Sequence, residues 1–123
     1  MLKITGKPLD ISTIVDSPES KNIAVVCDDG RREANILVLS SISPMLCSIL
    51  AAKYETNDCS IILPGAQTKE ISTLLDLCTK GECYVTKSSL ARLDDLKVSL
   101  GVSIATQKVS ITIEYIYNIL LNY

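Results

Sequence analysis

The chain has 123 residues, which is the length of one domain and enough to bury a modest core. Its 47% hydrophobic and 21% charged residues exclude a disordered chain, and its net charge of −2 argues against direct nucleic-acid binding, which needs clustered Lys and Arg. Histidine is absent, so the commonest general base, a common zinc ligand and every Ser-His or Cys-His nucleophile pair are missing. The composition therefore predicts a binding or assembly module with no cofactor and no metal, and not an enzyme.

The five cysteines point to buried free thiols. They stand at positions 27, 47, 59, 78 and 83, and no two of them have the Cys-x-x-Cys spacing of a zinc or redox site. Because they lie in apolar segments, we expect them to behave as small buried hydrophobic residues in a reducing, intracellular compartment. The longest aliphatic run, residues 36–39, is far too short to cross a membrane.

The N-terminal segment combines a short apolar stretch with helical spacing. Residues 2–5 predict a strand. The positions of Leu9, Ile11, Ile14 and Val15 then predict a short amphipathic helix.

A β-hairpin is predicted next. Residues 22–27 form a β-branched apolar run, and Asp29-Gly30 suits a tight turn because both residues tolerate positive φ. The charged residues 28–33 are interpreted as a solvated hairpin tip.

Two short helices should follow the hairpin. Residues 34–39 predict the first, and Ser43-Pro44 starts the second, since Ser caps a helix and Pro fits its first turn. Leu46, Ile49 and Leu50 are expected on one side of this second helix.

The next part of the chain predicts a buried strand at residues 60–63, two longer helices, and an edge strand at residues 83–85 between the helices. The first longer helix is expected to be capped by Thr68 and to end at Gly81; the second should end at Gly101. Their apolar stripes are Ile71, Leu74, Leu75 and Cys78, then Leu90, Leu93, Leu96 and Leu100.

The tail is ambiguous between helix and strand. Val109, Ile113, Ile116, Tyr117 and Leu120 fit helical spacing, whereas residues 109–117 also alternate as a strand does. The length of the segment favours a helix. The whole pattern predicts an α+β fold with a small, mostly three-stranded sheet covered by short helices.

Three stretches resemble a BTB/POZ domain. Residues 22–26 with the Gly30 turn resemble the family's first hairpin, residues 34–46 resemble its Ala-His-Lys-x-Val-Leu segment with the following Ser-Pro, and residues 74–82 are similar to its Leu-Leu-Asp-Phe-x-Tyr-x-Gly-Glu. The resemblance covers residues 22–102 and is closest in style to the dimerising class found in zinc-finger transcription factors and insect chromatin proteins. It implies that residues 1–21 are a dimerisation extension of a core at residues 22–123, within one domain.

The chain departs from the family at the charged pocket. Asn22 stands where the family has Asp, Asn35 where it has His, and Ile36 where it has Lys or Arg. Replacing a partly buried ion pair by neutral residues can leave stability unchanged. Partner binding that depends on that pocket is put in doubt.

The resemblance implies a homodimerising protein–protein interaction module, an assembly platform for a transcription or chromatin regulator that acts in the nucleus. Its partners would be itself and other regulatory proteins, with neither nucleic acid nor membrane bound directly. The implied dimer interface comprises Leu2, Ile4, Leu9, Ile11, Ile14, Val15, Cys83 and Val85, with the first strand pairing near Cys83 to Val85 of the other chain. The alternative is a monomeric BTB-fold adaptor of a cullin ubiquitin ligase, similar to Skp or elongin C subunits.

Overall fold

The computed structural model describes residues 1–10, 12, 17, 20–51 and 60–102, and the backbone of residues 106–110. Within these ranges six strands and four helices form an α+β fold, as predicted. The strands make two three-stranded sheets, whereas the sequence predicted one small, mostly three-stranded sheet. The second sheet arises because residues 2–6 pair with residues 82–85 and with residues 106–110.

The first of these, the hairpin sheet, has the order β3-β2-β4. Its strands are β2 (Asn22–Cys27), β3 (Gly30–Asn35) and β4 (Ser60–Ile62). Strand β2 is antiparallel to β3 and parallel to β4. The β-branched run of β2 supplies the most buried position of this sheet, Val25, which is 0% exposed.

The second, the terminal sheet, has the order β5-β1-β6. It consists of β1 (Leu2–Gly6), β5 (Glu82–Val85) and β6 (Thr106–Ser110). Strand β1 lies in the middle and is antiparallel to both neighbours. The predicted edge position of β5 is confirmed among the described residues.

The hairpin turn lies one residue earlier than predicted. Cys27 pairs with Gly30, so Asp28 and Asp29 are the two turn residues and Gly30 begins β3. Only Gly30 has positive φ here, at +148°. The Asp residues are exposed but anchored, because Asp28 Oδ1 accepts a hydrogen bond from Gly65 N at 3.1 Å and Asp29 Oδ1 accepts one from Thr68 N at 2.9 Å.

Helices α1 (Ile36–Ile42) and α2 (Pro44–Leu50) follow. The predicted start of α1 was too early, since Ala34 and Asn35 remain in β3 and Asn35 caps the helix. Ser43 caps α2 as predicted, accepting a hydrogen bond from Leu46 N at 3.0 Å.

Helices α3 (Thr68–Lys80) and α4 (Lys87–Leu100) carry the two longer apolar stripes. The α3 stripe is buried as predicted, and on α4 Leu90 is only partly buried whereas its other three leucines are buried. Helix α3 is capped at Gln67, one residue before the predicted cap, and Gln67 N donates to Glu70 Oε1 at 2.8 Å. Gly81 and Gly101 end α3 and α4 with φ of +80° and +69°.

The predicted tail helix is wrong at residues 106–110, which form β6. Val109 lies opposite Lys3 of β1. The apolar positions of the tail fitted the helical and the strand period equally well. Pairing with β1 favours the strand at residues 106–110, because β propensity depends on the neighbouring strand. The other predicted stripe positions of the tail lie outside the described residues.

Candidate functional site

The N-terminal strand is built into the middle of the terminal sheet. On one side Leu2 lies opposite Val85 and Ile4 opposite Cys83, and on the other side Ile4 lies opposite Lys108. Ile4 is 2% exposed. Backbone groups on both edges of β1 are therefore paired, and its apolar side chain belongs to the core.

The segment after β1 is also fixed to α3. Gly6 N donates to Gly81 O at 2.9 Å, and Leu9 N donates to Cys78 O at 2.7 Å. These two bonds occupy carbonyl groups at the C-terminal end of α3, which an isolated helix leaves unpaired. The N-terminal segment thus completes the end of α3 as well as the sheet.

The structure brings five of the predicted interface residues together. Ile4, Cys83 and Val85 are buried, and Leu2 and Leu9 are partly buried and pack against the core. All of these contacts lie within one chain. The other predicted interface residues, Ile11, Ile14 and Val15, lie outside the described residues.

An ion pair links β1 to β5, and two buried thiols, Cys78 and Cys83, lie near this pairing. Lys3 Nζ lies 3.1 Å from Glu82 Oε2, and hydrogen bonding to Glu82 raises the pKa of Lys3. Burial raises the pKa of Cys78 to about 11 and also raises that of Cys83. Both thiols stay protonated at neutral pH, which makes them poor nucleophiles.

The thiol prediction was wrong for Cys47, which is exposed on α2. Cys27, Cys78 and Cys83 are buried and free as predicted. Cys59 lies outside the described residues.

Asn22, Asn35 and Ile36, the positions that the resemblance assigned to a charged pocket, have structural roles. Asn22 pairs with Asn35 across β2 and β3, and Asn35 Oδ1 accepts hydrogen bonds from Leu37 N at 2.9 Å and Val38 N at 3.2 Å. Ile36 is 0% exposed and sits in the core. A charged side chain at position 36 would be buried here, so an apolar residue suits the site.

Two charged side chains, Arg32 of β3 and Asp76 of α3, nevertheless line the neighbouring cleft. A cleft of about 230 Å³ is lined by Asn22 and Asn35 together with Arg32 and Asp76. Arg32 Nη1 is buried without a hydrogen-bond partner. The sequence prediction placed Arg32 in a solvated hairpin tip and missed its partial burial. Arg32 lies opposite the buried Val25 across the hairpin, so the two side chains share one face of the sheet.

An apolar patch on α2 was also missed. Leu46 and Leu50 are buried, but Ile49, predicted on the same side of the helix, is 50% exposed. Met45 is exposed on the same outer face, one helical turn away, beside a cleft of about 330 Å³. The i, i+4 spacing of Met45 and Ile49 could have indicated a second apolar face.

Neither a scan against protein-family models nor a search of curated proteins finds a match. Among the residues that the structure describes, the helices are too short or too polar to cross a bilayer. Within the same part of the chain, no cluster of three or more His, Cys, Asp or Glu side chains could hold a metal ion.

Proposed function

We propose that the chain is a protein–protein interaction module of the BTB/POZ type that homodimerises by exchanging β1 between two chains. The observation that carries the proposal is the central place of β1 between β5 and β6. A strand that is paired on both edges can be replaced by the same strand of a second copy with every contact kept.

Exchange is the form of dimer that suits this arrangement. Ile4, Cys83 and Val85 are buried within the chain, so two folded monomers cannot dock through them. Swapping an identical element preserves the native contacts and is a low-cost route to a dimer. Two apolar side chains and the Lys3–Glu82 ion pair would then join two chains.

A cysteine pair across β1 and β5 tests the proposal. Lys3 and Tyr84 lie opposite each other in the ladder. The double variant Lys3→Cys/Tyr84→Cys, made with Cys47→Ser and Cys59→Ser, is oxidised and run on non-reducing gels. We expect a covalent dimer, because the thiol introduced on β1 of one chain then faces the thiol introduced on β5 of the other.

Two controls accompany this experiment. The single variant Lys3→Cys in the same background should give no disulfide between positions 3 and 84, either within a chain or between chains, because position 84 carries no thiol. Light scattering after size exclusion should give twice the chain mass at micromolar concentration for the unmodified protein. A monomer mass together with an intramolecular disulfide would contradict the proposed exchange.

We further propose that the dimer is an assembly platform for a transcription or chromatin regulator in the nucleus. The support is the resemblance of three sequence stretches to that class of domains. Because Asn35 and Ile36 replace the charged residues of the pocket, partners that need those charges should not bind. Partner recognition would then depend on other surfaces.

The second candidate is the monomeric cullin adaptor, and one observation favours it. Helix α2 exposes Met45 and Ile49, and Met45 lines a cleft of about 330 Å³. Exposed apolar residues next to a concavity are typical of docking surfaces. Capture of a purified cullin by the chain, lost on Ile49→Asp, would support this function.

A further inference from the structure

We propose that the outer edge of β5 and the groove between β5 and α3 bind an extended peptide segment of a partner protein as an added strand. The segment is mainly uncharged and has a carboxylate at the end that lies over Lys69. This inference goes beyond homodimerisation and concerns a second surface of the terminal sheet.

Among the described residues, strand β5 has one paired edge and one edge with no neighbouring strand. It pairs with β1 alone. Glu82 and Tyr84 are exposed, whereas Cys83 and Val85 are buried. An open edge carries unpaired N–H and C=O groups, and only an extended backbone matches their spacing.

A groove runs alongside this edge. Two adjoining cavities, of about 320 Å³ and about 120 Å³, both touch Thr73 of α3 and Tyr84 of β5. The larger one extends along α3 past Asp76 and Lys80, and the smaller one extends toward Lys69. A channel between an edge strand and a helix gives an added strand room for its side chains on both faces.

The charges of the groove indicate the chemistry of the peptide. Lys80 Nζ lies 3.4 Å from Asp76 Oδ1, and Glu82 is paired with Lys3. Arg92 and Glu70, which line the smaller cavity, lie 3.0 Å apart, so all of these charges are already compensated. Lys69 takes part in none of the ion pairs among the described residues and lines the cavity next to Val85. A carboxylate on the peptide is therefore favoured at the Lys69 end, and neutral residues elsewhere.

This site does not depend on which chain supplies β1. Strand exchange fills the inner edge of β5 with an identical strand and leaves the outer edge as it is. The peptide site can therefore be tested on whichever oligomer the chain forms.

The probe is a library of random linear peptides displayed on phage and selected on the full chain. The best peptide is then synthesised, and its affinity is measured by fluorescence anisotropy. We expect Thr73→Trp, which fills the groove without touching the β1 ladder, to weaken binding about tenfold or more. The matched control is Val98→Trp, since Val98 is 82% exposed on α4 and does not line the groove.

Two smaller substitutions, which are unlike Thr73→Trp in adding no bulk, test the site without the risk of misfolding. Lys69→Gln should weaken the peptide about threefold to tenfold and flatten its salt dependence, because one exposed charge pair is lost. Lys87→Gln should leave the affinity unchanged. Hydrogen exchange of the β5 amides should slow when the peptide binds, as new backbone bonds protect them.

Three results would overturn the proposal. The selection could yield no peptide above background, or the peptide could bind Thr73→Trp as well as the unmodified chain. Thr73→Trp could instead abolish self-association of the chain, which would make a second copy the occupant of the groove.

Discussion

The hairpin sheet and the terminal sheet differ in how far apart their strands lie along the chain. In the hairpin sheet β2 and β3 are joined by two residues, Asp28 and Asp29. In the terminal sheet β1 joins β5 and β6 from the other end of the described chain. A local hairpin forms at small entropic cost, whereas the terminal sheet must first close a long loop. The terminal sheet is therefore the part that can open, exchange its central strand or accept an added one.

The largest expected effect comes from a matched pair of core truncations. Ile4 of β1 and Ile23 of β2 are 2% and 3% exposed. Each change to Ala should lower the free energy of unfolding by about 2–5 kcal/mol, measured by urea denaturation. In Ile4→Ala the β1 amides should also exchange faster through local opening, while β2 stays protected. Equal protection of both strands in Ile4→Ala would contradict the proposed difference between the sheets.

A glycine pair tests how tightly the N-terminal segment is seated on α3. Gly81→Ala would place a Cβ 2.9 Å from Gly6 O, whereas in Gly101→Ala the nearest atom, Pro44 Cδ, is 3.9 Å away. Both glycines have positive φ, so each change should cost about 1–2 kcal/mol of backbone strain. Gly81→Ala should cost more because of the clash. Equal thermal midpoints for Gly81→Ala and Gly101→Ala would show that the backbone at Gly6 moves away from the added Cβ at little cost in stability.

High pH should destabilise the protein through the buried thiol of Cys78 on α3. The pKa of Cys78 is raised to about 11 from 9.0, so the folded state holds its proton at pH values where the unfolded chain releases it. This contribution to stability is present below pH 9 and is lost as pH rises toward 11, with a slope of at most about 1.4 kcal/mol per pH unit. Urea midpoints of Cys78→Ala should fall less steeply over this range. Parallel curves for the two proteins would exclude Cys78 as the cause.

The smallest expected effect is at the hairpin tip. Asp29 accepts hydrogen bonds from the backbone and hydroxyl of Thr68, and the backbone bond lowers the pKa of its carboxyl below 3.8. Its contribution is present above pH 3.8 and is lost as pH falls through the lowered pKa. Asp29→Asn should slightly lower the urea midpoint at pH 7 and remove this part of the acid dependence. Asp95→Asn, on the exposed face of α4, serves as the control.

Several elements could be read directly from neighbouring residues. The β-branched run of β2, the Ser43-Pro44 start of α2 and the glycine ends of α3 and α4 are all local signals. Each depends on the conformational preference of a few residues and on the period of the apolar positions. The boundaries of these elements in the structure agree with the predicted boundaries to within one or two residues.

The candidate sites were less predictable because they depend on distant pairing. Residues 2–5 predicted a strand, but nothing in them shows whether its partner belongs to the same chain. The open edge of β5 follows from the sheet order, and the groove beside it follows from the position of α3. The exposed Ile49 depends on which side of α2 the other elements cover.

The sequence by itself determined the α+β class, the hairpin, the helix stripes and the absence of histidine chemistry, because these depend on composition and on periods of a few residues. The tertiary structure decided that residues 106–110 form a strand and that β1 lies between β5 and β6. It also decided that Asp29 contacts the start of α3 and that Ile36 is buried in the core. Each of these depends on a contact between residues far apart in the chain, which no local pattern specifies.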